Sequence, residues 1–173
     1  MTVRKIIYLP DARLRLVAKP IEVFDEELQV LIDDMFDTMY DARGVGLAAP
    51  QIGISLRLSV IDVIGDRSNQ LVIINPEIVS STGEKEFEEG CLSVPGAYDK
   101  VLRAEKVTVK ATDEKGNEFT MSATGLLAQI FQHEIDHLDG ILFIDHATGI
   151  REMTDEEKAS YQIELEKMKV ERM

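Results

Sequence analysis

The chain has a single cysteine, Cys91, among its 173 residues. No intrachain disulfide can form, and a lone thiol fits a reducing compartment better than a secreted scaffold. Long apolar runs are also missing. Nothing approaches the ~18 residues needed to span a bilayer. The opening segment Met1-Thr2-Val3-Arg4-Lys5-Ile6-Ile7-Tyr8 lacks the apolar stretch of a signal peptide. The expectation is a cytoplasmic protein with no membrane association. Basic residues are scarce: 19 Lys and Arg stand against 32 Asp and Glu, a net charge of −13. That excludes broad nucleic-acid binding, which needs a basic face. No internal repeat and no Gly/Ser- or Pro-rich linker divides the sequence, so one domain over 1–173 is expected, as a monomer.

The pattern predicts an α+β fold, with mostly antiparallel strands packed around a central metal-binding helix, and helices towards each end. Asp25 to Arg43 reads as the first helix. Asp25 can cap it, Leu28, Ile32, Met35 and Met39 share one face, and Gly44 suits its end. Strands follow at Arg57 to Val63 and Leu71 to Asn75, joined by the polar turn Asp66-Arg67-Ser68-Asn69. One strand is expected over Val101 to Thr112. Its hairpin partner is Glu118 to Ser122, with Lys115-Gly116-Asn117 in the turn. A second helix should run from Leu126 to Leu138 between Thr124 and Gly140. Residues 150–173 are expected to form a C-terminal helix. Thr154-Asp155-Glu156-Glu157 has the capping-box form there, and Tyr161, Leu165 and Met168 fall on one face.

The strongest local signal lies inside the second helix: His133-Glu134-Ile135-Asp136-His137, an H-E-x-x-H pattern. Residues four apart on a helix are neighbours, so two imidazoles at this spacing can converge on one ion. The ion lowers the pKa of a bound water, and the adjacent carboxylate takes its proton. A solvated helix face with two chance histidines is the bland alternative. Only three histidines occur in the chain, and two of them are here.

A catalytic ion of this kind usually has three protein ligands. Downstream, His146, Asp139 and Asp145 are candidates, but none sits in the extended metzincin pattern. Upstream lies Cys91, in Glu88-Glu89-Gly90-Cys91-Leu92-Ser93. A lone cysteine is most often a small buried hydrophobe. Here Gly90 lets the backbone approach closely, and a divalent cation would stabilise the thiolate. A Cys-His-His set suits zinc or ferrous iron equally.

Gly44-Val45-Gly46-Leu47-Ala48-Ala49-Pro50-Gln51-Ile52-Gly53 is glycine-rich but is no dinucleotide fingerprint. That motif needs a strand before it and a helix after it. Small residues here could let a ligand backbone lie close to the chain. Gln51 could then offer an amide donor. A tight turn with a solvated Gln51 is an equal alternative.

Three segments stand in order: Gly44 to Gln51, Glu89-Gly90-Cys91-Leu92-Ser93, and Gln132-His133-Glu134-Ile135-Asp136-His137. Together they closely resemble peptide deformylase of the bacterial type. The likeness runs over nearly the whole chain and takes in Pro10-Asp11-Ala12-Arg13-Leu14-Arg15, Asn75-Pro76 and Arg103-Ala104-Glu105-Lys106-Val107. The resemblance implies removal of the formyl group from N-formylmethionyl ends of nascent polypeptides, releasing formate. It implies a metal held by Cys91, His133 and His137, with metal-bound water attacking the formyl carbon and Glu134 as general acid/base. Gln51 and the backbone N–H of Leu92 would hold the formyl oxygen as an oxyanion hole. Gly46 would bond to the substrate backbone, with Glu89 also on the substrate side. Val45, Phe87, Leu126 and Ile130 are proposed as lining for the methionine side chain. The family's metal is usually Fe2+, with Zn2+, Ni2+ or Co2+ as substitutes. Thiolate ligation beside iron implies oxygen sensitivity.

Two departures from the family pattern stand out. Tyr98 occupies a place where many relatives carry an arginine that contacts the peptide. The family's C-terminal helix is often basic and docks on the ribosome. From Ile150 to Met173 this chain has five basic and seven acidic residues, so ribosome association is expected to be weak. Two other functions share parts of the site. A zinc endopeptidase would use His133, His137 and Glu134 without Cys91. A non-catalytic iron-binding protein would not need Glu134.

Overall fold

The computed structural model describes residues 2–146. The expected C-terminal helix and its capping box lie outside these residues. Helix α1 spans Glu26–Asp41, and the Asp25 carboxylate accepts from the Leu28 N–H at 3.0 Å. Strands β1 (Gly46–Ala48), β2 (Leu58–Ile61), β3 (Leu71–Thr82), β6 (Lys106–Thr112) and β7 (Glu118–Thr124) form one antiparallel sheet in the order β1-β2-β3-β6-β7. β4 (Lys85–Cys91) and β5 (Val94–Arg103) form a separate two-stranded hairpin. Helix α2 spans Gly125–Leu138.

Alternation along the strands sorts the core into two layers. Leu58 and Val60 of β2, with Val72 and Ile74 of β3, pack with Leu28, Ile32, Met35 and Met39 of α1. Ile61 and Ile73 point the other way and join Val107, Val109, Ile130, Phe131 and Ile135 beneath α2. The five-stranded sheet therefore lies between the two helices. The β4–β5 hairpin is tied to α2 by polar contacts described below. The α+β architecture around a central helix agrees with the sequence pattern.

Three element boundaries differ. α1 stops at Asp41, and the left-handed residue after it is Arg43, at φ 58, rather than Gly44. Gly44 is small for another reason: a Cβ there would meet Leu92 Cδ1 at 2.7 Å. The single strand expected over Val101 to Thr112 is two strands in two sheets, broken at Ala104. The Gln132 side chain captures both Ala104 backbone groups, accepting from its N–H at 2.9 Å and donating to its carbonyl at 3.0 Å. β3 runs beyond Asn75 to Thr82, past a register shift between Ile74 and Glu77.

Candidate metal centre

The cleft has three walls. One is the approach to β1, Arg43 to Gly46; the second is the hairpin from Glu88 to Tyr98; the third is α2. It encloses about 340 Å³. Cys91 and His133 line it and His137 is buried behind them, with the donor atoms of all three within 4.8 Å of one another. His137 Nε2 lies 3.2 Å from His133 Nε2 and 3.4 Å from Cys91 Sγ. Tetrahedral bonds of ~2.0–2.3 Å to a shared ion give separations of ~3.3–3.6 Å, so the spacing fits one first-row divalent cation. The donor set of one sulfur and two imidazoles fits too.

Neighbours orient these ligands. Glu89 is buried, and its Oε1 lies 2.7 Å from His133 Nδ1, leaving Nε2 to face the centre. The same carboxylate receives the Arg103 guanidinium at 2.6 and 3.0 Å, and Gln129 Nε2 at 3.3 Å. Arg103 also reaches Asp136 at 2.6 Å, and His146 Nε2 sits 3.0 Å from that carboxylate. Glu89 was expected on the substrate side, but both of its oxygens are engaged in this network. Burial alone would raise the Glu89 carboxyl; hydrogen bonds from His133 and Arg103 overcome it and hold the group at about 2. Burial likewise opposes charge on His133, yet Cys91 and Glu89 lift it to about 10. Burial and the nearby His133 charge keep His137 well below 6.5.

Glu134 is buried, and its Oε2 has no partner among the described residues; His137 Nδ1 is likewise unpartnered. Desolvation raises the Glu134 carboxyl to about 7, while a neighbouring cation would pull it back down. Gly46 makes room for this carboxylate, since a Cβ on Gly46 would stand 2.6 Å from Glu134 Oε1.

Gln51 sits in a 3-10 turn, Ala49–Ile52. Its Oε1 accepts from the Ala48 N–H at 2.9 Å. That contact aims Nε2 at Ser93 Oγ, 3.3 Å away, and Cys91 Sγ, 3.6 Å away. Leu92 borders the cleft beside them. Val45 and Leu126 line it as exposed side chains, and Ile130 lies buried below. Phe87 is not among the residues bordering this cleft. Four residues of extended strand, ~13 Å, separate it from Cys91, and it borders another cavity with Thr82 and Glu105 under Lys85.

A family model described as polypeptide deformylase matches residues 3–153. The chain belongs to the peptide deformylase family. A peptide deformylase of Chromobacterium violaceum is 53% identical over 152 residues, 88% of this chain and 91% of that protein. The deformylase structure from Legionella pneumophila is 64% identical, with a TM-score of 0.85 over 97% of this chain and 96% of that one. The Thermotoga maritima deformylase is 40% identical, with a TM-score of 0.82 over 86% and 99%. As a deformylase, the chain is a metal-dependent hydrolase.

Sequence reasoning missed the roles of Arg103, Asp136, Gln129 and Ser93. A signal was present: Asp136 lies inside the H-E-x-x-H segment at a position the ligand pattern leaves open.

Proposed function

We propose that Cys91, His133 and His137 hold one divalent ion, ferrous iron in the cell, for the reaction of the deformylase family: removal of the formyl group from N-formylmethionyl polypeptides. When bound, the ion supplies Lewis acidity and a more acidic water. Glu134 takes the proton from the attacking water as the new C–O bond forms. It returns that proton to the amine nitrogen as the C–N bond breaks, releasing formate. The Gln51 amide and the Leu92 N–H stabilise charge on the formyl oxygen. β1 lies at the edge of its sheet, so the substrate backbone can bond along Gly46 as an added strand. The methionine side chain lies among Val45, Leu126 and Ile130. The whole chain acts as one catalytic unit in the cytoplasm, as a monomer, with weak and salt-sensitive ribosome contact.

The observation that carries this reading is the Gln51 amide 3.6 Å from Cys91 Sγ, above a three-ligand cluster with Glu134 beside it. An endopeptidase of the H-E-x-x-H type needs no thiolate in that place. Protein purified without oxygen and loaded with ferrous iron should release formate from formyl-Met-Ala-Ser. No formate, or cleavage of the internal peptide bonds instead, would overturn the proposal.

A further inference from the structure

We infer that Arg43 is a specificity-determining residue, selecting formylmethionyl peptides with an acidic side chain one or two residues beyond the methionine. This rests on the deformylase reading of the cleft. Arg43 stands on the cleft wall and is exposed. Among the described residues its side chain makes no ion pair or hydrogen bond; only its backbone N–H is engaged, donating to the Tyr40 carbonyl at 3.0 Å.

The position is unusual for arginine. The Arg43 N–H to Tyr40 and Gly44 N–H to Met39 bonds close α1 in the manner of a Schellman motif. The left-handed residue of that motif is usually glycine, because a Cβ is disfavoured there. Here it carries a long cation over the cleft, at φ 58. A non-glycine residue in this conformation at a cleft rim points to use of its side chain.

Direction follows from Gly46, which touches the Glu134 carboxylate where the formyl group reacts. Val45, Gly44 and Arg43 lead away from that point. At ~3.3 Å per residue the Arg43 backbone lies at most ~10 Å from Gly46. A peptide running along this wall brings its second and third residues within the reach of the guanidinium. The other charged side chains bordering the cleft do not supply this attraction. Glu89 is bound to Arg103, and Glu134 is buried at the reaction centre. Glu88 borders the cleft as an exposed carboxylate on the hairpin wall, opposite Lys100 in the β4–β5 register. On a chain of net charge −13, Arg43 is the cation that an acidic substrate meets at this wall.

The test compares kcat/KM for formate release from formyl-Met-Asp-Ala and formyl-Met-Ala-Asp with their Asn counterparts. For the iron-loaded enzyme at low salt, one of the two Asp/Asn ratios should be about two- to fivefold, the scale of a solvent-exposed ion pair. It should shrink as salt screens the charge. Arg43→Gln should bring that ratio to one, Arg43→Lys should keep it above one, and Arg43→Glu should invert it. Each variant is its own reference because only the ratio is read. Ratios of one in the unmodified enzyme, or a ratio that survives Arg43→Gln, would overturn the inference while leaving the deformylase reading intact. Absence of formate from every peptide would sink that reading, and this inference with it.

Discussion

Gly46 and Glu134 are packed so closely that a side chain at Gly46 must displace the carboxylate. Gly46→Ala places a methyl group 2.6 Å from Glu134 Oε1. The carboxylate must move while the ligands on either side of it stay in place. Misplacement of a reacting group by ~1 Å can cost about 10²-fold in rate, so kcat/KM for formate release should fall on that scale with bound metal still stoichiometric. Glu89→Gln tests the opposite separation. It removes the charge that fixes the His133 ring, and metal affinity should fall about 10- to 100-fold in a chelator competition. A residue of the substrate pocket would change KM and leave metal affinity alone. Asp62 offers a check away from the cleft. It is buried and accepts from Tyr40 Oη at 2.5 Å and from the Gly65 and Arg67 N–H groups. The Tyr40 hydroxyl, opposed by burial and aided by the two N–H bonds, keeps its carboxyl below 3.8. The ionised form thus stabilises the fold above the unfolded value, and that contribution fades as pH falls through the lower folded value. Asp62→Asn should lose about 1–3 kcal/mol in urea unfolding at neutral pH, and the gap should narrow below pH 3.8.

At the scale of elements, the corner between β5 and β6 decides whether the hairpin can face α2. Val101 to Thr112 reads as one strand because Val, Leu and Thr continue through it, and side-chain alternation carries no mark of a change of sheet. The mark is tertiary: Gln132, on α2, holds both polar groups of Ala104. Gln132→Leu would leave the Ala104 N–H and carbonyl unpaired. Thermal or denaturant unfolding should show a loss of about 1–3 kcal/mol. What was legible in the sequence follows the same division. Local rules located α1, α2 and the β6–β7 hairpin, because capping and periodicity act within a few residues. The Cys91, His133 and His137 cluster was legible because the two histidines share one helix turn and the flanks of Cys91 match the family. The link from Glu89 to His133 and Arg103 was not legible because it depends on two elements meeting.

Across the whole molecule, the β4–β5 hairpin shares no strand pairing with the five-stranded sheet. Val94 and Val101 pack in a small cluster of their own with Leu142 and Phe143. The polar ties to α2 include Arg103 to Asp136, Glu89 to His133, and Gln129 to the Glu88 carbonyl and the Glu89 carboxylate. An ion on Cys91, His133 and His137 adds one more link between β4 and α2. Removing it leaves His137 buried without a partner for Nδ1 or a ligand role for Nε2. Binding to the folded state alone stabilises it by about 2.7 kcal/mol when free metal stands at 100 times Kd. Metal removal should therefore lower the unfolding midpoint, and it should do so unevenly. The amides of β4 and β5 should lose hydrogen-exchange protection first, while those of β2 and β3, between two helices, should change little. The unevenness is the informative part. A uniform loss across both sheets would mean that the ion stabilises the molecule as one cooperative unit, and that the hairpin does not depend on the metal to hold it against α2.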